Sequence, residues 1–126
     1  MRAADTNILV RLIVRDNPAQ VLAAEAFVRN GAWVSHLAFA ECLWVLSSVY
    51  EFDASQLAAV VEVFLANDKL ILQDPDVVAA ALGHFRRKPS LGFFDCLVLE
   101  TARKAGHLPL GTFDRSLGKL DGTETL

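Results

Sequence analysis

Four acidic residues interrupt segments that otherwise read as core. Asp5 stands in "RAADTNILVRL", Glu41 in "LAFAECLWVL", Asp95 in "LGFFDCLVLE" and Asp114 in "LGTFDRSLG". Each has an ordinary explanation. Asp5 and Asp114 are placed to cap helices, Asp95 to gain roughly 0.3–1 kcal/mol from a helix dipole, and Glu41 to lie on an exposed helix face. Glu41 has no Lys or Arg within four residues, and burying an unpaired carboxylate costs several kcal/mol. In a shared cleft the four would repel one another and raise each other's pKa unless positive charge lay between them. No lysine or arginine is spaced to serve all four, whereas one divalent cation would. The surrounding donors are oxygens (Thr6, Asn7, Ser35, Thr112) with no His or Cys cluster, which suits Mg²⁺ or Mn²⁺ rather than zinc. An acidic pocket holding such an ion favours phosphodiester chemistry, with charge stabilisation and a water activated for in-line attack.

The elements that must position these residues follow from the pattern. A short apolar start (Arg2 to Ala4) precedes a first helix in "DTNILVRLIV". "RDNPAQVLAAEAFVRNG" predicts a second helix, with Asp16 or Asn17 as cap, Pro18 at the first helical position and Gly31 as the stop. "AWVS" predicts a strand and Leu37 to Tyr50 a helix. Asp53 or Ser55 caps another helix before the strand "KLILQ". A helix in "DPDVVAAALGHFRR", a basic loop "RRKPSLG" and a helix ending at Gly106 come next. The strand "LPLGT", a short helix in "FDRSLGKL" and a last short strand in the tail complete the chain. Strands alternating with helices predict an α/β domain with a mostly parallel sheet. Ligands of such sheets bind beyond the carboxyl ends of the strands, where Asp5 and Asp114 fall.

Composition narrows the field. At 126 residues the chain has the size of one domain, residues 1–126. Its 53% apolar content is above the ordinary range. The richest stretch, Leu37 to Leu46, is broken by Glu41 and falls short of a membrane span, so the excess predicts a buried interface or a partner groove. No signal segment opens the sequence, which predicts a cytoplasmic protein. Cys42 and Cys96 lack metal-type spacing and read as small buried hydrophobes. A net charge of −3 argues against a broad electrostatic grip on nucleic acid but leaves room for a local basic strip. Arg86, Arg87 and Lys88 form the best one, with Arg11, Arg15, Arg103, Lys104, Arg115 and Lys119 as further candidates. The alternative for Arg86–Lys88 is a solvated helix end, where cations are favoured in any protein. His36, His84 and His107 are not spaced as an acid–base pair.

Nearly the whole chain resembles the PIN-domain ribonucleases, in particular the toxins of VapBC-type toxin–antitoxin pairs (the VapC family). The resemblance rests on "DTNILVRLIVRDNPAQ", "VSHLAFAECLWVLSSVYEF", "GFFDCLVLETARKAG" and "LGTFD". It implies a three-layer α/β/α fold with a central, mostly parallel sheet. It implies an endoribonuclease dependent on Mg²⁺ or Mn²⁺, with Asp5, Glu41, Asp95 and Asp114 as catalytic metal ligands and Thr6, Asn7 and Thr112 in support. It also implies a homodimer and a cognate antitoxin that lies in a groove of the toxin. The chain departs from the family in a less bulky first strand, "RAA", and in Phe94 beside Asp95, where many members have a small residue. The fourth carboxylate varies in role across the family. Two other readings remain: a non-catalytic PIN-fold binding module, and a receiver-type phosphoacceptor domain. The second lacks an acidic neighbour for Asp5 and a Lys after "LPLGT".

Overall fold

A computed structural model describes residues 1–126, which form two compact units, Met1–Pro75 and Asp76–Leu126. The first contains β1 (Arg2–Ala3), α1 (Thr6–Ile13), α2 (Pro18–Val28), β2 (Ala32–Val34), α3 (His36–Ser48), α4 (Ala54–Ala66) and β3 (Leu70–Leu72). Local chemistry sets its boundaries. Asn17 accepts a hydrogen bond from Gln20 N at 3.1 Å with Pro18 opening α2. Ser35 accepts from Ala38 N at 3.0 Å at the start of α3. Asp53 and Gln56 form a reciprocal capping box on α4, both bonds 2.8 Å. Gly31 holds φ at +94°, and a Cβ there would meet Met1 Cε at 3.2 Å, so the turn into β2 needs glycine.

The strands pair in parallel in the order β1-β2-β3. In β2 and β3 the outer residues are buried while Trp33 and Ile71 face out, as the period of two requires. β1 is exposed at Arg2 and Ala3, so the small "RAA" strand gives the shallow burial its size foretells. Arg2 compensates by covering the Phe27 ring, 4.0 Å from its centroid. The core gathers Leu9, Val10, Val34, Leu43, Leu46 and Val61 around an edge-to-face pair, Phe39 and Phe64, with centroids 5.3 Å apart.

The second unit carries α5 (Pro75–Arg87, from its second residue), α6 (Phe93–Ala105), β4 (Leu110–Thr112) and β5 (Thr123–Thr125). β4 and β5 pair in parallel, so the expected strand in the tail is present. Gly106 ends α6 in the left-handed conformation and donates to Ala102 and Arg103 carbonyls. Phe85 and Phe93 meet edge-on at 6.0 Å in a core with Val78, Ala81, Cys96 and Leu99. Two sequence expectations change. "FDRSLGKL" forms only a short 3-10 helix at Leu117–Lys119: Asp114 caps the turn that leads into it, and Gly118 disfavours its extension. The "RRKPSLG" stretch is not one loop: Arg86 and Arg87 belong to the last turn of α5, and Pro89–Leu91 is a 3-10 turn.

Candidate active site

Asp5 is the cap of α1. Its extended backbone follows β1, and its Oδ1 accepts from Thr6 N at 2.8 Å, so one oxygen is committed and the other faces outward from an exposed residue. Thr6 is buried and Asn7 is exposed. Asn7 lines a groove between α1 and α2 with Ile8, Gln20 and Phe27.

Glu41 lies on the exposed stripe of α3, between Leu37 and Trp44, while Cys42 and Leu43 turn into the core. Its apolar sequence neighbours therefore do not bury it, and the burial cost expected from those flanks does not arise. The exposed-face reading describes its position. It accepts no hydrogen bond and forms no ion pair. Other acids do such structural work: Asp16 pairs with Arg11, Glu25 with Arg15, and Asp76 with Lys104.

In the second unit two carboxylates act on each other. Asp95 stands in the first turn of α6, after Gly92 with φ at +79°. Partial desolvation, and then the charge of Asp114, push its carboxyl above the usual carboxylate range. Although Asp95 is solvent-accessible, the protein around its base removes enough water for desolvation to lead. Asp114 is set by a turn in which its N–H donates to Thr112 Oγ1 at 3.0 Å. Its Oδ1 then accepts from Ser116 N at 2.8 Å and Leu117 N at 3.0 Å. Asp114 is thus a turn cap, as the ordinary reading held, with its second oxygen uncommitted. Thr112 supports it by a direct hydrogen bond.

Burial and then the charge of Asp114 raise the Asp95 carboxyl, and carboxylate oxygens are donors suited to a hard divalent ion. Within each unit no three His, Cys, Asp or Glu side chains lie together at metal-holding spacing. Mg²⁺ needs no more than one or two carboxylates, because it keeps several waters and shares substrate phosphate oxygens.

The other candidates sort by what they touch. Arg86, Arg87 and Lys88 are exposed, and Arg87 donates to His84 Nδ1 at 3.1 Å. Arg11, Arg15, Arg103 and Lys104 are engaged with carboxylates. His84 is tied to Glu100 at 3.1 Å, His36 Nε2 is enclosed without a partner, and His107 is exposed. No His acid–base pair forms. Burial pushes the Cys42 thiol up to about 12 and the Cys96 thiol to about 11, so neither is a nucleophile at neutral pH. Glu100, buried between His84 and Arg103, escaped the sequence reading. Only Arg103, three residues on, signalled it, and His84 meets it through folding.

Parallel strands joined through helices, with oxygen-donor carboxylates beyond strand ends, define a nuclease-type α/β domain. The chain belongs to the PIN domain family, whose model matches residues 3–123, and the fold is the three-layer α/β/α type of that family. PIN domains are generally nucleases, and those nucleases generally depend on a divalent metal. Comparisons with curated proteins and with solved structures returned no significant match. No helix is long and apolar enough to cross a membrane.

Proposed function

We propose that this chain is a Mg²⁺- or Mn²⁺-dependent endoribonuclease, the VapC-type toxin of a type II toxin–antitoxin pair, acting in the cytoplasm. The observation that carries the reading is the Asp95–Asp114 pair, in which the Asp114 charge adds to burial in raising the Asp95 carboxyl, in a member of a nuclease family. Asp5 and Glu41 complete the proposed ligand set. They occupy the matching motifs in the matching order, and neither is consumed by an ion pair. Residues 1–126 are taken as one PIN domain because the family match runs through 3–123.

A bound Mg²⁺ or Mn²⁺ supplies charge neutralisation at the phosphate and a more acidic water. The protein's part is positional. Asp114 is immobilised by its two backbone donors, so its carboxylate is held in place before substrate arrives, and Asp95 stands in the first turn of α6. Arg86, Arg87 and Lys88 are the proposed phosphate-binding residues. An apolar groove of about 340 Å³, lined by Ile8, Ala23, Ala24 and Phe27 among others, suits an antitoxin segment. The exposed Leu37, Trp44, Val49 and Val63 suit a homodimer.

The test is incubation of antitoxin-free protein with pooled cellular RNA in Mg²⁺ or Mn²⁺, in EDTA, and as Asp95→Asn. Cleavage that requires both the metal and Asp95 is expected. Survival of the RNA pool, with no Mn²⁺ bound by calorimetry, would leave the carboxylates structural and the chain a binding module. The receiver-type reading has no support in a PIN family member.

A further inference from the structure

Glu100 is a buried carboxylate that the proposed chemistry does not use. It is 7% exposed on α6, 3.1 Å from His84 Nε2 of α5, and it accepts from Arg103 Nε at 3.2 Å. A buried carboxylate fixes the partner it holds, because release would leave its charge unpaired. Arg103 has a second task. Its Nη2 donates to the Asp121 carbonyl at 2.6 Å, so one planar guanidinium joins two acceptors from different parts of the chain. The same guanidinium lies over Gly122, where a Cβ would stand 3.0 Å from Nη2 and 3.3 Å from Cζ. A side chain at 122 would crowd it.

Asp121 and Gly122 end the segment that Asp114 begins. Asp114 follows β4, its side chain accepts from Ser116 N and Leu117 N, and its carbonyl accepts from Gly118 N at 2.9 Å. At the other end the Gly122 carbonyl accepts from Leu110 N at 2.8 Å, which closes the segment back onto β4. These bonds set its shape but not its place on the rest of the unit. Leu117, 4% exposed, anchors it by packing, which is not directional. Arg103 ties it to one point of α6. That point is eight residues after Asp95 on the same helix, about 12 Å along its axis. One helix therefore carries one proposed ligand and grips the segment that begins with another. Resting on the nuclease reading above, we propose that Arg103, seated on Glu100, is a positioning residue that registers the Asp114 segment against α6 and so sets Asp114 relative to Asp95. It acts through Asp121 and not through contact with metal or RNA.

The experiment uses the full chain as wild type, Arg103→Ala and Arg103→Lys, with two readouts. Amide hydrogen exchange without metal follows Leu110 and Gly118, whose N–H groups bond at the two ends of the segment, against Leu99 in the α6 core. Calorimetry measures Mn²⁺ binding. Arg103→Ala is expected to speed exchange at Leu110 and Gly118 about tenfold or more relative to Leu99, and to weaken Mn²⁺ by about 10–100-fold. Arg103→Lys keeps a cationic donor and should recover part of both. The Arg103 side chain is 35% exposed, so its truncation opens little of the core. Exchange that is unchanged, or faster by the same factor at all three amides, makes Arg103 an ordinary stabilising residue and overturns the proposal. Faster exchange at the segment with unaltered Mn²⁺ affinity also overturns it, because the segment would then move without moving a ligand. Both of these results leave the nuclease reading in place. Failure of wild type itself to bind Mn²⁺ and to cut pooled RNA overturns that reading, and the positioning role with it.

Discussion

Asp95 gives the sharpest residue-level prediction because its electrostatic cost and its proposed role are the same fact. Its native carboxyl holds a proton more tightly than an unfolded aspartate does, through desolvation and Asp114. A raised carboxylate pKa means that ionisation favours the unfolded chain. The stabilising contribution is complete below the unfolded value, about 3.9, and is lost as pH rises through the native value. Asp95→Asn lacks that loss. Urea unfolding should therefore find the variant gaining on wild type between acid and neutral pH, whereas a constant difference would show that neither burial nor Asp114 raises the Asp95 carboxyl. The same variant should lose metal-dependent cleavage by roughly a hundredfold or more, since even residues behind a metal ligand are worth about 10–100-fold. A more stable but inactive variant is the expected signature of a functional carboxylate.

At the scale of elements, caps and glycines do the positioning, and they fail in distinguishable ways. Asp53→Ala removes the α4 capping box and should cost about 1 kcal/mol, read as a lower denaturation midpoint with unchanged slope. Gly118→Ala is a different kind of damage. A Cβ there would run into the Thr125 side chain, with Thr125 Cβ 3.1 Å away, so the 3-10 turn and β5 could not both keep their places. Destabilisation of about 1–3 kcal/mol is expected, partly relieved by Thr125→Ala. If Thr125→Ala gives no relief, the clash is not the cause. Glu100 joins α5 to α6 through His84 and Arg103. Glu100→Ala should cost about 1–3 kcal/mol by depriving both of that acceptor, measured by thermal or urea unfolding.

For the molecule as a whole, metal and salt are the levers. An ion bound only by the folded state stabilises it by mass action, about 2.7 kcal/mol at a hundredfold excess over Kd. Mn²⁺ should therefore raise the melting temperature of wild type, reversibly with EDTA, and leave that of Asp95→Asn nearly unmoved. An equal rise in both would place the ion elsewhere. Arg86→Ala with Arg87→Ala should weaken RNA binding and flatten its salt dependence by about one to two charges. Titration of binding against salt would show an unaltered slope if these residues only cap α5.

The α/β class, nearly every helix and strand, and the candidate carboxylates were legible in the chain itself. Caps, glycine stops and apolar periodicity act over a few residues, as Pro18, the Asp53–Gln56 box and Gly106 show. Tertiary structure decided what depends on the far side of a helix or on distant partners. Glu41, set in apolar sequence, is exposed because the helical period turns it away from Cys42 and Leu43. "FDRSLGKL" forms only a short 3-10 helix at Leu117–Lys119, following the turn capped by Asp114. His84 meets Glu100, and Tyr50 meets Arg11, only through folding. The charge between Asp95 and Asp114 belongs to the same category. Electrostatic coupling depends on distance in space, and a sequence separation of 19 residues says nothing about that distance.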